Sequence, residues 1–148
     1  MTRKQPQRSD PIDLAAKALR HRDRSRSQID ERLARSGVED ERRSEALAAL
    51  ERLGYVDDAR FAGQRAESLA DRGHGDEAIR ALLAADGVAP AVANEAVGAL
   101  RPESERAAEI IASLGASPRT FARLARKGFG EDVIEAAAGR FATDGPEA

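Results

Sequence analysis

The chain has 148 residues, of which 34% are charged and only 3% aromatic, with a formal net charge of −2. Lacking Cys and Trp, it offers no disulfide, no thiolate-bound zinc or iron–sulfur cluster, no thiol nucleophile and few platforms for stacking bases. No apolar run approaches the roughly 18 residues of a membrane span, and the basic opening Thr2-Arg3-Lys4 leads into no apolar stretch, so a cytoplasmic protein without a membrane helix or secretion signal is expected.

Alanine supplies 31 residues, and Val, Ile and Thr together only 15, which favours helix over strand. Residues 1–10 lack periodicity and read as a disordered basic tail. Asp10 before Pro11 signals a helix start, opening a stripe of Leu14, Ala15, Ala18 and Leu19. Ser25 with Gln28 forms a capping-box pattern ahead of Ile29 and Leu33. Glu39, Asp40 and Glu41 suit the first turn of a helix carrying Leu47, Leu50 and Leu53. Asp57 is the expected cap of the next, with Phe61, Ala62 and Leu69. Ile79, Leu82 and Leu83 follow, and then Val92, Ala96, Val97 and Leu100 behind Pro90. Behind Pro102 come Ala107, Ile110, Ile111 and Leu114, and behind Ser117-Pro118 come Phe121, Leu124 and Ala125. The last stripe is Val133, Ile134, Ala137 and Phe141, before a tail at 143–148. The count is nine helices and no strand.

Leu33 to Val38, Leu83 to Val88 and Leu124 to Phe129 share the form Leu-x-x-x-Gly-apolar. Glycine takes the left-handed conformation beyond a helix end, and the next residue folds back onto the leucine. Three copies, each between two helices, predict an all-α, elongated, curved array of three tandem three-helix repeats over residues 11–54, 55–101 and 102–142. A core of four to six large apolar residues per repeat cannot by itself offset the ordering of some forty residues, so each repeat leans on its neighbour.

Little points to catalysis. His21 and His74 lie in polar surroundings without a triad or metal spacing, and Gly73-His74-Gly75 lacks the strand and Lys-Ser/Thr of a phosphate loop. The cations are more informative. Residues 1–36 sum to +5, residues 37–118 to −7, and Arg119, Arg123, Arg126 and Lys127 fall within nine positions. Arg20, Arg22, Arg24 and Arg26 fan through a helix end and turn, while the later cluster lies on one helical face opposite Phe121 and Ala125. Two basic ends around an acidic middle suit a clamp on phosphates, or on an acidic protein that itself carries DNA, better than a generic DNA binder.

Leu53-Gly54-Tyr55-Val56-Asp57-Asp58-Ala59-Arg60-Phe61-Ala62, then Arg72-Gly73-His74-Gly75, Ile79-Arg80-Ala81-Leu82-Leu83 and Gly87-Val88, resembles the RecX family. The outer repeats are similar to it as well, and the likeness covers about residues 12–142. The resemblance implies helical repeats that bind the RecA recombinase in the groove of its filament on DNA and block filament extension. It implies lowered ATP hydrolysis, strand exchange and coprotease activity, and so regulation of DNA repair and the SOS response. Direct binding to single- or double-stranded DNA is also implied. Asp76 and Glu77 stand after the Gly-x-Gly turn, where the family is basic, which moves the expected contact of the middle repeat from DNA towards RecA protein.

The expected function is therefore that of a monomeric, non-enzymatic inhibitor of RecA filaments, with no cofactor and no metal. The residues expected at the interface are Arg22, Arg24, Arg26, Arg32 and Arg35, then Arg60, Arg65 and Arg72, then Arg119, Arg123, Arg126 and Lys127. The alternative is a sequence-independent DNA-binding helical module unrelated to RecA, which the lack of a recognition helix disfavours.

Overall fold

The structure, a computed structural model, describes residues 10–143. The tails expected at 1–10 and 143–148 lie almost entirely outside the described residues. Within them the chain forms nine helices and no strand: α1 (Pro11–Leu19), α2 (Arg26–Arg35), α3 (Asp40–Arg52), α4 (Asp58–Asp71), α5 (Asp76–Ala85), α6 (Pro90–Gly98), α7 (Glu103–Leu114), α8 (Pro118–Arg126) and α9 (Glu131–Thr143).

The start signals act as the side chains dictate. Asp10 Oδ1 accepts the Ile12 N–H at 3.0 Å, and Asp57 accepts that of Arg60 at 3.1 Å. Ser25 and Gln28 close a reciprocal capping box, each backbone N–H donating to the other's side chain at 3.1 Å. Pro102 occupies the cap position of α7, and Glu103 opens the helix.

The three leucine-glycine stops are the same structure. The N–H groups of Val38, Val88 and Phe129 donate to the carbonyls of Leu33, Leu83 and Leu124, each at 3.0 Å. Gly37, Gly87 and Gly128 have φ of 83°, 82° and 88°, a region that disfavours any side chain. Each leucine is at most 1% exposed and each following hydrophobe is buried. The repeated sequence pattern therefore encodes one repeated packing event.

Two compact units divide in sequence between Phe61 and Ala62. In the first, α1, α2 and α3 pack on one another around Ile29, Leu33, Val38, Leu47, Leu50 and Val56. In the second, α5 packs on α6, and α7, α8 and α9 enclose Ala107, Ile111, Leu124, Phe129 and Ala137. Three residues expected in apolar stripes are instead exposed: Leu53, Leu114 and Ala125. Leu53 and Leu114 each precede a glycine where the chain leaves the helix axis, so no further turn continues the buried face. In α8 the inward positions are Thr120 and Leu124, and Ala125 sits one residue off that line.

Candidate functional site

In the first unit, Arg22 and Arg24 occupy the turn after α1, Arg26 opens α2, and Arg32 and Arg35 fall in its last turn. Half-buried Arg24 donates through Nε to the Ala18 carbonyl at 3.0 Å. Burial, and after it the fields of Arg22 and Arg32, lowers its pKa, so these three guanidinium groups share one positive region. Arg26 is structural: its side chain pairs with Glu51 and its N–H donates to Asp58 at 2.7 Å.

Arg60 is structural too. Its guanidinium spans the Asp23 carboxylate at 3.0 and 3.2 Å, and donates to the carbonyls of Gly54 at 2.9 Å and Tyr55 at 3.3 Å. The Asp23 hydrogen bond raises its pKa. Among the described residues Arg35 meets only Glu31, at 3.7 Å and largely in solvent, a pair of little energetic weight.

In the second unit, Arg65 pairs with Asp86 at 3.0 Å, and Arg72 follows α4 in an exposed turn. His74, in the turn that follows, has its pKa lowered first by burial and then by Lys127, Arg72 and Arg65. Residues distant in sequence thus form one positive field around the Gly73-His74-Gly75 turn. Arg119, Arg123 and Arg126 recur at i, i+4 and i+7 on the exposed side of α8, a helix without an acid. Of the twelve expected residues, Arg22, Arg32, Arg72, Arg119, Arg123, Arg126 and Lys127 make no ion pair or side-chain hydrogen bond among the described residues.

Beneath this second field lies a network that sequence reasoning did not anticipate. The Gly75 N–H donates to the Lys127 carbonyl at 2.8 Å. A Cβ on Gly75 would fall within 3.0 Å of the Gly128 carbonyl and the Phe129 nitrogen, and one on Gly128 would meet Ala78. Both glycines are therefore needed for two turns to touch backbone to backbone. Arg106, only 8% exposed, secures the contact. It donates to the carbonyls of Arg101 and His74 at 3.0 Å each and to the Asp76 carboxylate, and lies 5.8 Å from the centre of the Phe129 ring. Glu103 accepts the Gly130 N–H at 2.8 Å, and burial pushes its carboxyl pKa up. Asp76, an acid that seemed to weaken a basic turn, is consumed internally. The available signal was Arg106 itself, a cation beside Ala107 on the apolar face of α7.

The description "RecX, second three-helix domain" matches residues 57–97. Over 132 residues, 83% of this chain and 87% of the relative, the sequence is 40% identical to the regulatory protein RecX of Chromohalobacter salexigens. The chain belongs to the RecX family. A second RecX, from Stenotrophomonas maltophilia, is 30% identical over 91% of this chain and 89% of its own. The fold is that of RecX from Lactobacillus salivarius, with a TM-score of 0.82 at 19% identity over 92% of this chain and 97% of that one. Within this RecX-family chain, the matched second-domain segment holds both Arg60 and the Gly73-His74-Gly75 turn.

Proposed function

We propose that this chain is a non-enzymatic regulator that binds RecA–DNA filaments and inhibits their extension. It thereby lowers RecA ATPase, strand exchange and coprotease activity, and so limits recombination and the SOS response. Membership of a family whose relatives are named regulatory proteins supports the regulatory part. The observation that carries the rest is the set of seven cations without partners among the described residues, on a chain with net charge −2: Arg22 and Arg32 beside Arg24, Arg72 and Lys127 beside His74, and Arg119, Arg123 and Arg126 along α8. Such a surface suits a partner presenting phosphate and protein together, and it acts by favouring the filament state it binds best. The three-helix units at 11–54, 55–101 and 102–142 would meet successive protomers. No helix among the described residues is long and apolar enough to cross a membrane, and we place this monomer in the cytoplasm with its partner.

The test is a titration of DNA-dependent ATPase activity of the cognate RecA. Substoichiometric inhibition, weakened by reversing Arg119, Arg123, Arg126 and Lys127 to Glu, is the expected result. Inhibition only when the protein saturates naked DNA would assign a DNA-binding module instead.

A further inference from the structure

The Leu53-Gly54-Tyr55 turn serves neither the cores nor the two positive fields. It repeats the helix stop seen at Gly37, Gly87 and Gly128: the Tyr55 N–H donates to the Leu50 carbonyl at 2.9 Å, and Gly54 has φ 79°. At those three stops the residue after glycine is a buried hydrophobe. Here Val56, one position later, closes over the first core, leaving Tyr55 60% exposed beside Leu53 at 66%.

This exposed pair is held firmly. Arg60, itself fixed by Asp23, donates to the carbonyls of both Gly54 and Tyr55. A backbone clamped this way loses little freedom on binding, as an interface anchor requires, and Tyr is enriched among such anchors. The neighbouring charges are committed, with one exception. Glu51 pairs with Arg26, Asp23 with Arg60, Asp58 accepts the Arg26 N–H, and Asp57 caps α4. Exposed Arg52 makes no ion pair among the described residues.

We propose that Leu53 and Tyr55 form a knob that docks in an apolar, carboxylate-edged cleft of a recombinase protomer, the carboxylate meeting Arg52. This rests on the reading that the chain acts on recombinase filaments. A polynucleotide fits the knob less well, since Leu53 has no face on which a base stacks and a phosphate gains nothing from apolar surface.

The experiment compares the intact chain with Leu53→Ser/Tyr55→Ser and with Arg52→Glu, in filament co-sedimentation and ATPase inhibition. The double variant should keep its helical melting profile and its affinity for naked DNA, yet need about tenfold more protein for half-inhibition. Arg52→Glu should show a smaller loss that high salt erases. Equal inhibition by wild type and double variant overturns the knob and leaves the broader reading standing. A wild type that neither binds nor inhibits overturns the broader reading, and with it the partner named for the knob. A concentration-dependent dimer in sedimentation velocity, abolished in the double variant, assigns the knob to a second copy of the chain and also overturns the proposal.

Discussion

Replacing Gly128 with alanine should destabilise the second unit far more than the same change at Gly37 destabilises the first. Both glycines sit in the left-handed region, at φ 88° and 83°, so both variants carry a conformational cost of about 1 kcal/mol. At Gly37 that is the whole effect, because nothing lies within 4 Å of the added methyl. At Gly128 the methyl falls on the Ala78 backbone, 2.6 Å from its nitrogen and 3.0 Å from its Cα. Backbone cannot rotate aside, so the start of α5 has to withdraw, adding about 1–3 kcal/mol of overpacking strain. The Gly75–Lys127 hydrogen bond is stretched with it, for about 1 kcal/mol more. The expected loss is about 3–5 kcal/mol at Gly128 against about 1 kcal/mol at Gly37. Urea denaturation followed by helical circular dichroism measures both. Gly75→Ala supplies the control, since its φ of −83° carries no left-handed cost yet its methyl strikes the Gly128 turn. Equal losses at Gly37 and Gly128, or a neutral Gly75→Ala, would refute the close backbone contact.

Arg106→Met should cost about 3–5 kcal/mol in the same assay, because Asp76 keeps a charge inside the network without its partner. A loss below about 1 kcal/mol would show that water replaces the guanidinium without penalty. His74 offers a pH readout. Its folded pKa lies below the ordinary 6.5, chiefly through burial and then through Lys127, Arg72 and Arg65. The folded chain therefore binds fewer protons than the unfolded one just below pH 6.5, and stability should fall as pH drops through that window. An oligonucleotide or other polyanion that neutralises Lys127 and Arg72 should raise the His74 pKa and bind more tightly as pH falls. With only two histidines in the chain, proton NMR resolves the titration, and a His74 curve unmoved by saturating polyanion removes these two cations from the contact.

The helices and their ends were legible because their causes are local. Asp10, Ser25, Asp57 and Ser117 each satisfy an N–H within three residues, and each leucine-glycine clasp closes over five. The candidate site was legible only in part, because an arginine's fate depends on what tertiary packing places beside it. Arg26, Arg60 and Arg65 look as free in sequence as Arg72 or Arg123, yet their partners lie 25, 37 and 21 positions away. The contact between Gly75 and Gly128 crosses 53 positions and leaves no periodic trace. Tyr55 was hidden for a different reason. It occupies the residue after a glycine stop, a place that at Gly37, Gly87 and Gly128 means burial, whereas here Val56, one position later, takes the buried place.

The touching turns at Gly75 and Gly128 also have a metrical consequence. Because the Lys127 carbonyl is tied to the chain one residue beyond His74, the backbones bearing Lys127, His74 and Arg72 keep a set separation whatever rotamers their side chains adopt. A ligand meeting this surface is sampled at fixed intervals, as by a gauge, and polyanions of equal charge but different phosphate pitch present themselves to it as different objects.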